Sequence, residues 1–434
     1  MSILQKQFDH CHTNGIPLKQ ERNEIMNVRK CLFTFTILIA LLLFGGCGLM
    51  KSDNNTVNTT PSITPIETVT PVASPTPTAT PKPASTPQTS IAAPTPKSTN
   101  EPRARAILQK MSLKEKVGQL FFVRLRKEQA LTDIKNYSLG GYILFGEDFK
   151  NENKASIKKL IANYQSASAI HMLIGVDEEG GEVNRISIYT AFRGVPFHSP
   201  MDLYNEGGLD LIRSDTLEKA KLLLSLGINV NLAPVCDVST DPNDFMYSRS
   251  FGKNAEATSE YVKAVVEVMK QNKLGSTLKH FPGYGNNVNT HTGIAIDERA
   301  YNTFVTSDFL PFEAGIKAGA DSILVSHNIV NSVDKDHPAS LSPKIHEILR
   351  NDLGFTGVIM TDDLSMDAIK EYTGDEEAAV QAILAGNDLL IATNFEQQIP
   401  AVLAAVVKGT ISESRINDSV LRVLEWKLAL NIIK

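Results

Sequence analysis

Eight short apolar runs, each leading into a longer amphipathic segment, constrain this chain more than any other feature. The runs fall at residues 119–123, 141–145, 172–176, 228–233, 276–280, 322–326, 357–361 and 388–392. Helical periodicity marks the stretches between them at 154–168, 209–226, 255–272, 302–318, 343–352 and 376–385. Two more follow the last run, at 397–407 and 413–429. Apolar runs of strand length that do not alternate with polar residues suit strands covered on both faces, which is the condition of a parallel sheet. Eight such units within residues 103–434 predict an α/β fold of the (β/α)8, TIM-barrel type as a single catalytic domain. A doubly wound open sheet is the alternative, but no glycine-rich phosphate turn follows the first run.

The first hundred residues are different material. A polar stretch at 1–25 precedes Met26, a plausible true start, which opens Met-Asn-Val-Arg-Lys. The apolar run 32–44 is too short to cross a bilayer and suits the hydrophobic part of a signal peptide. It ends in Phe44-Gly45-Gly46-Cys47, which resembles a bacterial lipobox with Cys47 as the lipidated residue. Residues 1–47 are therefore expected to be an N-terminal extension and lipoprotein signal peptide, with Phe44 a departure from the usual aliphatic residue. Residues 48–102 are rich in Thr, Pro and Ser and lack the apolar residues to fold, so they read as a disordered linker. Stretched as polyproline, such a linker reaches on the order of 150 Å. The expectation is a domain held on the outer face of the cell membrane by a lipid anchor and extended into the wall.

Partners can be narrowed. The net charge is -5 and no basic patch stands out, which argues against nucleic acid. Of four cysteines, Cys11, Cys31, Cys47 and Cys236, only the last lies in the globular part. No zinc or Cys-x-x-Cys spacing occurs, and the domain has no internal disulfide. Cys236 reads as a buried small hydrophobe. A monomer is expected.

Polar residues gather where the runs end. Asp177 follows the third, Asp237 the fourth, Lys279 and His280 end the fifth, and His327 follows the sixth. Asp362 and Asp363 follow the seventh, and Thr393 and Asn394 the eighth. One Asp after a strand is more often a helix cap than a catalyst. In a barrel, though, all these ends open onto the C-terminal face, where such enzymes work. Densest of all is Lys279 to Gly293, a loop with Lys, two His and several Asn punctuated by Pro and Gly.

Two reaction classes can use this set. Metal-dependent hydrolysis wants a local ligand pair such as His-x-His, and none occurs within residues 103–434. Metal-free glycosyl transfer to water needs a carboxylate nucleophile and a proton carrier, and Asp362 and His291 suit those tasks. A merely solvated loop histidine is the plain alternative for His291. Neither a metal nor another cofactor is expected.

Several motifs in order then resemble glycoside hydrolase family 3, and within it the single-domain β-N-acetylglucosaminidases. Met111-Ser112-Leu113-Lys114-Glu115-Lys116-Val117-Gly118-Gln119-Leu120 is similar to its opening helix. Gly175-Val176-Asp177-Glu178-Glu179-Gly180-Gly181, Ala233-Pro234-Val235 with Asp237, and Arg249-Ser250-Phe251-Gly252 resemble its next blocks. Lys279-His280-Phe281-Pro282-Gly283 and the run from Gly357 to Met366 complete the resemblance, which spans nearly all of 105–430. It implies that Asp362 attacks the anomeric carbon and that His291 protonates the leaving oxygen and later activates water. Asp177, Arg249, Lys279 and His280 would bind the sugar's hydroxyls, with Arg185 assisting. Charge-assisted bonds of this kind fix the ring over the nucleophile.

One position departs. The family's acid/base His has an Asp two residues before it, and here that dyad position is Asn289. An Asn accepts a hydrogen bond from the imidazole but brings no charge to stabilise its protonated form. Glu182, where relatives often have Arg, is a smaller departure. The expected function is an exo-acting, retaining β-N-acetylglucosaminidase on peptidoglycan fragments. The alternatives are a β-glucosidase-like relative, or a catalytically weak wall-binding lipoprotein because of Asn289.

Overall fold

The computed structural model describes residues 100–434. The signal segment with Cys47, and the linker up to residue 99, lie outside the described residues.

In chain order the strands are β1 (Phe121–Arg124), β2 (Gly141–Leu144), β3 (Leu173–Val176), β4 (Val230–Asn231), β5 (Gly275–Phe281), β6 (Ile296–Asp297), β7 (Ser322–Val325), β8 (Ile329–Val330), β9 (Val358–Thr361) and β10 (Leu390–Ala392). Eight of them pair in the order β10-β1-β2-β3-β4-β5-β7-β9, all parallel. A further parallel bridge, Met360 to Leu389, joins β9 to the residue before β10 and closes the ring. Helices separate most successive barrel strands, so the domain is a (β/α)8 barrel. The short pair β6 and β8 lies outside the ring.

Two apolar layers hold it. Phe122, Ile143, Leu173, Leu232, Leu324, Met360 and Ile391 pack together, and Val423, Trp426 and Leu430 from the last helix, Glu413–Ala429, and its end join them. Residues of the opposite strand parity, such as Phe121, Val123, Ile174 and Ile359, join the larger cluster against the surrounding helices. The period-2 alternation of a strand thus sorts one run into two cores. Space inside is tight: a Cβ on Gly175 would lie 2.4 Å from the ring of Phe122.

The sequence runs match strands with instructive shortening. The run at 119–123 begins as helix, because Ser112 and Glu115 form a reciprocal cap that starts a helix at Leu113–Gln119. The run at 228–233 yields only two ladder residues. There, side chains replace ladder bonds: Asn229 Oδ1 accepts from the N–H of Ile174, and Asn231 Oδ1 from that of Glu178. The helix expected from 209 starts at Pro200, capped by Ser199, and is broken by non-helical Gly207 and Gly208.

Candidate active site

The loops at the C-terminal ends of the strands enclose a cavity of about 360 Å³. Asp177, Arg185, Arg249, Lys279, His280, His291 and Asp362 all line it. The seven residues singled out for binding and catalysis therefore meet in one place, brought from five separate stretches of chain.

Asp362 leaves β9 with its amide N–H bonded to Val325 O and its own Oδ1 accepting from Asp363 N–H at 2.8 Å. Burial by itself would raise the Asp362 carboxyl pKa. The imidazoles of His327 and His280 and the Asp363 N–H outweigh that, and the net direction is downward. His327 lies fully buried nearby. Its Nε2–H donates to Asp363 O at 3.0 Å, and Nδ1 meets the Ser340 hydroxyl at 2.8 Å. Burial lowers the His327 pKa.

Across the cavity a chain of charges runs through the floor. Lys279 Nζ sits 2.6 Å from Asp177 Oδ1 and 2.6 Å from Glu179 Oε1. Arg249 takes Glu179 with two bonds, Nη2 at 2.7 Å and Nε at 3.1 Å. Burial opposes the charges of Glu179, Lys279 and Arg249, and the pairing overcomes it. The Glu179 carboxyl is driven down to about 2 by Lys279 and Arg249, and Lys279 is raised by Asp177 and Glu179. Beside them His280 donates Nδ1–H to the buried Asp237 at 2.8 Å, which leaves Nε2 as its group for a ligand. Asp237 also accepts from the amide N–H groups of His280 and Tyr284, fixing the loop behind the histidine.

His291 stands on the segment between β5 and β6, exposed, in a single 3-10 turn at Thr290–Thr292. Asn289 Oδ1 accepts from both the His291 amide N–H at 2.9 Å and its Nδ1–H at 2.8 Å. The expected hydrogen bond to the imidazole is thus present. The segment is gripped at its base by Arg299, which reaches Asp297, Asp308 and the carbonyl of Gly283. Near its tip, Glu371 accepts from the N–H of Ile294 at 3.3 Å.

Glu179, Arg299 and Glu371 join the site without a role assigned to them in the sequence. Glu179 had a signal: it lies two residues beyond Asp177, and two cations, Lys279 and Arg249, need two carboxylates. Thr393 is spent on Asp363 and Asn394 on Asp375. Chemically, the cavity offers an ionised carboxylate, an exposed imidazole on a separate loop, and a ring of charged hydrogen-bonding groups. That set suits displacement at a sugar's anomeric carbon.

A family model described as Glycosyl hydrolase family 3 N terminal domain matches residues 112–426. The chain is 32% identical over 277 residues to a Beta-hexosaminidase of Nitrosomonas eutropha, covering 62% of this chain and 77% of that one. It is 28% identical over 352 residues to Beta-hexosaminidase LpqI of Mycobacterium tuberculosis, covering 78% and 88%. Among solved structures it is similar to a glycoside hydrolase family 3 beta-N-acetylglucosaminidase from Paenibacillus sp. str. FPU-7, with a TM-score of 0.70 and 32% identity. That match covers 74% of this chain and 63% of the other, just under two thirds.

Proposed function

The chain belongs to glycosyl hydrolase family 3, and from that premise we propose a retaining exo-β-N-acetylglucosaminidase that removes terminal β-linked N-acetylglucosamine from peptidoglycan fragments. It is a glycoside hydrolase of the β-N-acetylhexosaminidase type. The observation that carries the finer reading is the shared cavity. Asp362, kept ionised, faces the same space as His291 and the Lys279–Asp177–Glu179–Arg249 chain.

In this reading Asp362 Oδ attacks the anomeric carbon, and the C–O bond to the leaving group breaks as His291 delivers a proton to that oxygen. The resulting glycosyl-enzyme is opened by water, whose proton returns to His291. Asp177, Lys279, Arg249 and His280 hold the hydroxyls of the ring, with Arg185 assisting. The test is a panel of aryl β-glycosides of N-acetylglucosamine, N-acetylgalactosamine and glucose, with NMR of the first product anomer. Preference for the first substrate and initial release of the β anomer support the reading. Initial release of the α anomer overturns retention.

Asn289 favours a second reading, a feeble catalyst that mainly binds the wall, because its amide holds His291 without supplying charge. One substitution tests the part His291 plays in the proposal. Asn289→Asp is expected to raise kcat about tenfold on a poor leaving group, since a carboxylate there steadies the imidazolium. An unchanged kcat, with the loop ordered around His291, counts against His291 as the proton carrier.

The proposed location is the outer face of the cell membrane, the protein acting as a lipid-anchored monomer through Cys47. Its support is the run before Cys47 and the Thr/Pro/Ser-rich stretch after it. In a bacterial host, Cys47→Ser is expected to shift the protein from the detergent phase to the aqueous phase in Triton X-114 partitioning. Equal partitioning of both forms refutes the anchor.

A further inference from the structure

Four cations line the cavity: Arg124, Arg185, Arg249 and Lys279. Two are spent on Asp177 and Glu179. The other two are not. Arg124 ends β1 and Arg185 lies beyond β3, and among the described residues neither guanidinium has a hydrogen-bond or ion-pair partner. The Nε of Arg185 is buried with nothing to bind. Both instead lie by one ring: the Arg124 guanidinium carbon is 4.4 Å from the centre of Phe145, and that of Arg185 is 5.8 Å from it. Asp148, a carboxylate that feels the charge of Arg124, has turned Oδ2 to the amide N–H of Phe145.

An aromatic neighbour orients a guanidinium without using up its hydrogen-bonding edge. Two such groups, Arg124 exposed at the rim and Arg185 half-buried, neither bonded to a carboxylate, form a receptor for an anion. β1 is flanked by β10 and β2 in the ring, and β10 adjoins β9, which carries Asp362. The corner thus lines the same cavity as Asp362, with β1 opposite β5 in the ring. We propose that Arg124, Phe145 and Arg185 form a specificity site for a carboxylate, phosphate or sulfate carried by the substrate. The inference rests on the glycosidase reading. The anion belongs either to the leaving sugar or to the ring held over Asp362.

Two substrate pairs separate these sources. The first is N-acetylglucosaminyl-β-1,4-N-acetylmuramic acid and its lactyl methyl ester. The second is 4-nitrophenyl β-N-acetylglucosaminide and its 6-sulfate. With the full chain, the anionic member of one pair is expected to show a kcat/KM about tenfold or more above its neutral partner. Arg124→Gln and Arg185→Gln should each cut that ratio about tenfold, the low end of what a charge-assisted bond contributes. A ratio near one in both pairs, or a ratio that survives both substitutions, overturns the proposal. If none of the four substrates turns over, the glycosidase reading fails instead. The corner is then tested by thermal-shift protection with N-acetylglucosamine 6-sulfate against N-acetylglucosamine. Equal protection by the two sugars, or the same difference in Arg124→Gln, rejects the anion site.

Discussion

Asp362→Asn is expected to lower kcat/KM on an aryl β-N-acetylglucosaminide by about four orders of magnitude or more, because an amide cannot form the glycosyl-enzyme. The fold should survive the change. The Asn oxygen still accepts from the Asp363 N–H, the side chain is nearly isosteric, and the amide N–H of residue 362 keeps its bond to Val325 O. Sugar binding should therefore persist, which calorimetry with N-acetylglucosamine measures apart from turnover. Asp362→Gly supplies a sharper check, since azide can then attack in place of the carboxylate and give a glycosyl azide of inverted configuration. Retention of more than about one per cent of activity in Asp362→Asn would assign the nucleophile elsewhere, with the adjacent Asp363 first in line. The wild-type pH profile carries a related mark. His327, His280 and the Asp363 N–H hold the Asp362 carboxyl below its ordinary range. The proposed nucleophile stays ionised as pH falls through that range, and the acid limb it would set lies lower than for an ordinary carboxylate.

The barrel could be read from the sequence because its strands are covered on both faces and so appear as continuous apolar runs. The face that carries the site could be read because each polar residue at a strand end must open onto the same rim. What stayed hidden is contact between distant segments. Asp177 and Lys279 are 102 residues apart, and Glu179 and Arg249 are 70 apart. No local spacing says that these four groups share their charge. Arg124 illustrates the converse. At the end of a strand it looks like an ordinary surface cation, and only the absence of a partner beside Phe145 sets it apart. The histidines differ in the same way. His280 and His327 end up buried, fixed by Asp237 and by Ser340 with Asp363, while His291 is exposed with Asn289. The dense loop that one motif spans thus carries a buried imidazole at its start and an exposed one further on.

Glu179→Gln should have the second large effect, and on two quantities at once. Glu179 is the shared counter-charge of Lys279 and Arg249, and its own exposure is 5%. Neutralising it leaves Arg249 without its two-bond partner and Lys279 with Asp177 alone, so one surplus positive charge stays buried. Removing one partner of a buried pair costs about 3–5 kcal/mol, read here as a fall in the urea midpoint at unchanged slope. The pH dependence fixes the cause. The folded Glu179 carboxyl, at about 2, lies below its unfolded value near 4.5. Its contribution is therefore fully present above about pH 4.5 and is lost as pH falls toward about 2. The stability gap between wild type and variant should close over that window. A gap that does not vary there would mean a packing defect. Catalysis should fall by about two to three orders of magnitude, since the two cations proposed to grip the ring lose their fixed orientation. The double variant Glu179→Gln, Arg249→Gln restores charge balance. It should regain part of the lost stability while remaining as inactive as the single variant. That split, stability recovered and activity not, separates a group that neutralises the binding residues from one that merely supports the fold.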